Sequence, residues 1–178
     1  INEALPLVSI STTSCDKKCF GVISTSEDPE KREEEYGNFV SVSEKEDGDT
    51  RVYINSVGEG SVWVSNSNGN LEAGDYITTS NVAGYGQKQD DDLLHNYTVA
   101  KITMDCDFNP NTYPVQVIKK RNGTNDLDEH GQIQWEDDPS GATEKAYKLR
   151  YLTADGSITD EGNAVYTSAF VGCTYHCG

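Results

Sequence analysis

VYINSVGEGSVWVSNSNGNLEAGDYITTSNVAGYGQKQDDDLLHNYTVAKITMDCDF, running from Val52 to Phe108, decides how this chain folds. Val52 and Ile54 alternate with Tyr53 and Asn55, the period-two pattern that gathers side chains on one face of a strand. Val62-Trp63-Val64 is a second strand-like segment and leads to Asn68-Gly69. Both residues of that pair tolerate a positive φ, which a tight hairpin turn demands. The expectation is a hairpin in which Tyr76–Thr79 answers Val62–Val64. Tyr97–Met104 supplies a further strand, and Asp91–Asn96 is the one place in this stretch that predicts a short helix.

Outward from this block the pattern stays β. Residues 5–11, Phe20–Ser24, Phe39–Val42, Arg51–Val57, Pro114–Lys119, Lys145–Leu152 and Ala164–Gly172 are short segments with apolar and β-branched residues. Asp47-Gly48 and Asp155-Gly156 mark tight turns between them. Ser26–Gly37 is charged throughout and predicts an exposed helix, with Pro29 tolerated in the first turn and Gly37 as the stop. Roughly ten strands with turns at this spacing predict an all-β fold, mainly an antiparallel sandwich or barrel-like, with one or two short helices. The 178 residues predict a single domain, 1–178. Within it, residues 121–144 predict an exposed acidic insertion: Arg121 is set against Asp126, Asp128, Glu129, Glu136, Asp137, Asp138 and Glu144.

Hydrophobic residues make up only 35% of the chain, a lean supply for a core. Such a composition fits a subunit that covers apolar surface with copies of itself, and equally a monomer with long loops. The formal net charge of -16 repels phosphate, so nucleic acid and anionic membranes are poor partners. No apolar run approaches the roughly 20 residues of a membrane span, and no basic-then-apolar start marks a signal peptide. The chain begins at Ile1 without an initiator Met and so reads as a fragment or cleavage product of something larger.

Candidate chemistry is sparse. Cys15 and Cys19 form one C-x-x-x-C, Cys173 and Cys177 another enclosing His176, and Cys106 stands apart. Two such pairs meeting in space could bind zinc, form a disulfide, or simply pack as small apolar side chains. Asp105 and Asp107 flank Cys106 and would share a strand face, and Asp90-Asp91-Asp92 is an acidic triplet. Either set would serve acid-base chemistry only if burial separated the pKa values; otherwise it is a solvated face. Asp126, Asp128, Gly131 and Asp137 echo a calcium loop, but His130 stands where an oxygen ligand belongs. His176 and Cys177 are strand neighbours and point to opposite faces, which argues against a Cys–His dyad. His95 predicts local packing or capping. No G-x-S-x-G, glycine-rich phosphate loop or H-E-x-x-H occurs. Asn96-Tyr97-Thr98 and Asn122-Gly123-Thr124 are sequons with meaning only in a secreted chain. These readings leave no catalytic residue, metal or cofactor assigned.

The decisive block also carries a resemblance. Its motifs are Gly58-Glu59-Gly60, Trp63-Val64, Asn68-Gly69-Asn70, Gly74-Asp75-Tyr76-Ile77-Thr78, Gly84-Tyr85-Gly86 with Lys88-Gln89, and Tyr97-Thr98-Val99-Ala100-Lys101-Ile102. Cys19-Phe20-Gly21-Val22-Ile23-Ser24 and Ala169-Phe170-Val171-Gly172-Cys173-Thr174-Tyr175-His176-Cys177-Gly178 extend it towards both ends. In these the chain resembles the C-terminal domain of fibre and tail-spike proteins of large algal and amoebal DNA viruses. That domain is related to one ending the neck-appendage proteins of some Bacillus phages. The resemblance implies an intramolecular chaperone that helps chains form a homotrimer and is released by glutamic-peptidase-like self-cleavage. It implies the upstream fibre chain as partner, and location in the virion or, during assembly, the host cytoplasm.

The resemblance further implies an Asp-x-x-Glu at the cleavage point, upstream of the segment matched by Phe20–Ser24. No such motif precedes that segment here, and Asp126–Glu129, inside the acidic insertion, does not inherit the role. The leading expectation is therefore an assembly domain. Alternatives are a self-cleaving peptidase active within this chain, with Asp105 or Asp107 involved, and a glycan-binding module using Trp63, Tyr85 or Trp135 as stacking platforms.

Overall fold

The computed structural model describes residues 8–26, 33–36, 39–42 and 52–177. Within them the fold is all-β, and the only helical elements are two 3-10 turns, Asn66–Asn68 and Glu161–Asn163. The strands are β1 (Val22–Ser26), β2 (Glu33–Tyr36), β3 (Phe39–Val42), β4 (Val52–Asn55), β5 (Val57–Ser65), β6 (Tyr76–Thr79), β7 (Gly86–Lys88) and β8 (Thr98–Ile102). There follow β9 (Thr112–Pro114), β10 (Gln116–Ile118), β11 (Lys120–Arg121), β12 (Thr124–Asn125), β13 (Trp135–Asp137) and β14 (Thr143–Lys145). The chain ends with β15 (Leu149–Leu152), β16 (Ile158–Thr159) and β17 (Tyr166–His176).

A seven-stranded sheet in the order β16-β15-β17-β5-β7-β6-β8 is the body, and it closes on itself because β8 also pairs with β17. β5 runs antiparallel to β17 from Ser65↔Ser168 to Val57↔His176. The opposite edge of β17 is divided: Tyr166–Ala169 pair with β15, and Cys173–Tyr175 pair with β8. Closure removes unpaired edges from the ring β17-β5-β7-β6-β8, as in a small barrel.

Alternation along β17 fills that ring. Ala169, Val171, Cys173, Tyr175 and Cys177 are buried, while Phe170 and His176 between them are exposed. Val62 and Val64 of β5 stand opposite Val171 and Ala169 and complete the layer. Ile77, Val99, Ala100 and Ile102 close the interior from β6 and β8, with Leu71, Cys106, Phe108 and Tyr147 at the margin. Glycine has a specific use here. A Cβ on Gly60 would lie 2.5 Å from the Tyr175 hydroxyl, because that ring crosses β5 to donate a hydrogen bond to the Ser61 carbonyl at 2.8 Å.

A strap and an arm lie beside the barrel. Residues 8–21 form a strap with turns but no strand of its own, tied down by polar contacts. Asp16 N–H donates to Thr79 Oγ1 at 2.8 Å, Thr79 Oγ1 donates to the Thr13 carbonyl at 2.7 Å, and Gly84 N–H donates to the Ser11 carbonyl at 2.9 Å. The second is an arm of nested antiparallel pairs, β9 with β14, β10 with β13 and β11 with β12. It encloses the acidic stretch 121–144, which forms the outer part of this longer hairpin.

Several expectations are corrected. Asn68-Gly69 does not join paired strands, because β7 lies between β5 and β6. The Asn68 amide instead donates to the Lys88 carbonyl at 2.8 Å and to Asp90 Oδ1 at 2.7 Å, drawing the chain past β7. The tight hairpin turn is Asn122-Gly123, whose φ values of 52° and 82° join β11 to β12. Glu33–Tyr36, expected within a helix, is a strand paired with Phe39–Val42. Pairing with a β-prone partner outweighs the weak helix preference of glutamate. Asp91–Asn96 is a loop, because Asp91 Oδ1 accepts the Leu93 N–H at 3.0 Å and holds a turn of its own. Val8–Ser11 belong to the strap, not a strand. Residues 5–7, 27–32 and 37–38 and the Asp47-Gly48 turn lie outside the described residues. Asp155-Gly156 does turn β15 into β16, with Gly156 at φ 89°.

Gly86 is the single residue through which β7 meets β5, opposite Val64, and a Cβ there would lie 2.7 Å from Ile77 Cγ2. Gly86→Ala is expected to cost about 1–3 kcal/mol through overpacking. Ile77→Ala, at a fully buried position, should cost about 2–5 kcal/mol as a cavity. Urea unfolding of both variants tests this: midpoints like that of the wild type would contradict the closed-barrel account.

Candidate functional site

The strap meets the barrel over a cavity of about 460 Å³. Ile10, Phe20, Trp63, Thr79 and Tyr85 line it together with Cys19. Three backbone connections set this junction. Strand β1 leaves the strap and pairs with β4, placing Val22 opposite Asn55. The chain then passes through Ser56 into β5. At the other end, Cys177 N–H donates to the Ser56 carbonyl at 3.0 Å. Register therefore places Cys19, just ahead of β1, beside Cys177, just after β17.

Cys19 packs against the buried cluster that contains Cys177, and each thiol acts on the other's proton affinity. With both thiols protonated, Cys19 Sγ also reaches the Gly21 carbonyl at 3.7 Å and Cys177 Sγ the Val99 carbonyl at 3.3 Å. Loss of the Cys19 proton offers Cys177 a charged acceptor, a stronger bond than either thiol-to-carbonyl contact. The Cys177 thiol accordingly lowers the Cys19 pKa to about 6, while partial burial and the nearby Asp16 oppose that shift. Cys177 moves the other way, held protonated first by its bond to Cys19 and then by burial. Burial raises Cys173 to about 11 against a smaller opposing effect of Tyr175.

The other cysteines do not join them. Cys15 is exposed, and Cys106 is buried in a bridge with Leu71. Among the described residues no group of three or more His, Cys, Asp or Glu is disposed to hold a metal ion. The two C-x-x-x-C pairs thus meet through one member each and assemble no zinc site.

The carboxylate candidates disperse. Asp105 Oδ1 accepts the Ala73 N–H at 2.8 Å, whereas Asp107 Oδ1 accepts the Asn109 N–H at 2.9 Å and the Tyr147 hydroxyl at 2.8 Å. Those bonds hold Asp107 below the usual carboxylate range, the Asn109 N–H contributing most. Two exposed carboxylates serving separate backbone groups do not share a proton. Asp91 is likewise lowered, by the Leu93 N–H and then by His95, whose Nε2 lies 3.0 Å away. The His95 ring stacks on Tyr97 at 4.6 Å, and its backbone N–H donates to Thr98 Oγ1 at 2.9 Å. This histidine packs and caps.

On the arm, Asp126 faces Lys119 at 3.5 Å, Asp128 Oδ1 accepts the backbone N–H groups of His130 and Gln132, and Asp137 accepts from Gln116. The calcium-loop candidates therefore each hold a separate partner. Glu129 lies 3.4 Å from His130 and does not converge with Asp126. His176 is exposed and contacts Thr174, while Cys177 is buried, as alternation along a strand requires. Of the aromatic candidates, Trp63 is covered by the Arg150 guanidinium 3.9 Å from its centroid and by Phe170 at 5.1 Å. Tyr85 is half-buried and lines the cavity, and Trp135 is 59% exposed on the arm.

No protein-family model, curated protein or solved structure matches the chain. The sequence left open whether the two C-x-x-x-C pairs meet in space and did not single out Cys19 with Cys177. The ladder register joins residues so distant.

Cys19 is the thiol this geometry activates. Its alkylation rate should climb as pH rises through about 6 and then level off, while the same cysteine in urea should keep gaining to about pH 8.5. Cys177→Ala removes the donor and should move the inflection upward, whereas Cys177→Ser, which keeps an O–H donor, should move it less. Alkylation of Cys19 following the same pH curve in native and urea-unfolded chains would refute the activation.

Proposed function

We propose that this chain is a trimerisation and intramolecular-chaperone domain at the C-terminus of a viral fibre- or tail-spike-like virion protein. The resemblance of Val52–Phe108 and both flanking motifs motivates the reading, and the arm supports it structurally. From Asn109 to Ala146 not one residue is buried. Yet the arm displays Trp135, Tyr113, Leu127 and Ile133 at 59%, 52%, 51% and 40% exposure. An isolated two-stranded hairpin is marginal in water and needs a further layer to bury its apolar side chains. Copies of the same chain are the partner this reading supplies.

Physically, the domain brings chains into register before a long stalk forms, which lowers the entropic cost of closing contacts between them. The high negative charge keeps such a domain soluble at the local concentrations of an assembling particle. The virion and the host cytoplasm during assembly are the locations that go with this role. Self-cleavage is assigned to none of the described residues, because Asp105, Asp107, Asp126 and Glu129 are each engaged with separate groups.

Light scattering coupled to gel filtration tests the proposal. A trimer at micromolar concentration is expected, and a strict monomer at high concentration would overturn it. Replacing Trp135 and Tyr113 by Ala should weaken association about 30-fold or more, equivalent to about 2 kcal/mol for a buried aromatic anchor. The barrel core, which includes neither residue, should retain its circular dichroism.

A further inference from the structure

Three observations converge on the strap–barrel junction. The register of β1 on β4 and the bond from Cys177 N–H to the Ser56 carbonyl place Cys19 and Cys177 side by side. Cys19 packs against the buried cluster to which Cys177 belongs. Finally, the two thiols differ in access. Cys19 is half-buried and lines the cavity under the strap, whereas Cys177 is 4% exposed and packs in the core. We propose that Cys19 and Cys177 are a cross-linking site, forming a disulfide by exchange with a low-molecular-weight disulfide such as oxidised glutathione.

The chemistry balances in two exchanges. The Cys19 thiolate attacks one sulfur of the incoming disulfide, so that a Cys19–S–S–R bond forms, the R–S–S–R bond breaks, and one thiolate leaves and takes up a proton. Cys177 then gives up its proton and attacks Cys19 Sγ. The protein disulfide forms and the second R–SH leaves. Two protein thiols have been oxidised and one small disulfide reduced to two thiols.

The division of labour follows from position: the accessible, activated thiol begins the exchange, and its buried neighbour completes it. Asp16 on the strap and Cys173 on β17 are the other titratable groups acting on the pair, and neither carries a positive charge to compete with it. The product would fasten the strap, otherwise held by polar contacts to Thr79, Asn81, Gly84 and Gln87, to the strand on which the barrel closes. The bond would span nearly the whole chain, the case in which a cross-link most restricts the unfolded state. This inference does not depend on the assembly role.

The test treats the full chain with oxidised glutathione, then unfolds it in urea with N-ethylmaleimide at mildly acidic pH to block remaining thiols, and maps peptides without reduction. The expected product has lost two hydrogens, contains a Cys19–Cys177 linked peptide, and carries the blocking group on Cys15, Cys106 and Cys173. Its thermal midpoint should exceed that of the reduced chain and return to it on reduction. Cys15→Ser should leave the cross-link in place. Cys177→Ser should stop the reaction at the first exchange, adding one glutathione at Cys19. Linkage of Cys15 to Cys19 or of Cys173 to Cys177 would overturn the proposal. So would five free thiols after treatment, or stable glutathione on Cys19 of the wild-type chain with Cys177 unreacted.

Discussion

The divided edge of β17 is the constraint on which the structure depends. Along one side Ser168–His176 pair with β5; along the other, the first part of the strand holds β15 and its last part holds β8. Because β8 reaches β17, the sheet closes and the short strands of the ring have neighbours on both sides. β7 contributes only Gly86–Lys88 and pairs with β5 at one residue, yet closure gives it a fixed place. A lean set of apolar residues suffices for such a ring, since each inward position of β17 and β5 faces a filled interior.

The same closure organises the appendages. The C-terminal end of β17 lies where the strap enters through β1 and β4, so residues at opposite ends of the chain become neighbours. The thiol pair follows from that register and not from any local motif. The arm takes the opposite course. It leaves the barrel between Phe108 and Tyr147, the last and first buried residues on either side, and carries its own turn but no core. Its aromatic and aliphatic side chains, Tyr113, Leu127, Ile133 and Trp135, therefore stay exposed. The barrel supplies the buried body, and the arm is surface throughout.

Much of the polar sequence that invites a catalytic reading has been taken up by the backbone. Asp91, Asp107, Asp128 and Asp138 each accept a main-chain N–H within their own loop. An acid-rich chain with many turns needs such acceptors. The abundance of aspartate in pairs and triplets thus reflects turn construction, with the carboxylate held in place by the main chain.

The sequence by itself determined the all-β class. Alternation placed His176 and Cys177 on opposite faces, because a strand's period of two is a local property. It also marked the exposed acidic stretch, since charge without apolar partners cannot be buried. Which Asn-Gly makes a hairpin was decided by tertiary structure: Asn68 is drawn to Lys88 and Asp90, while Asn122 has no competing partner in the described contacts. Whether Glu33–Tyr36 was helix or strand was likewise settled by its neighbour Phe39–Val42. The meeting of Cys19 with Cys177 depended on the closure of the sheet through β8. Long-range pairing is set by ladders between distant segments, and no local spacing of residues encodes which strand will close the ring.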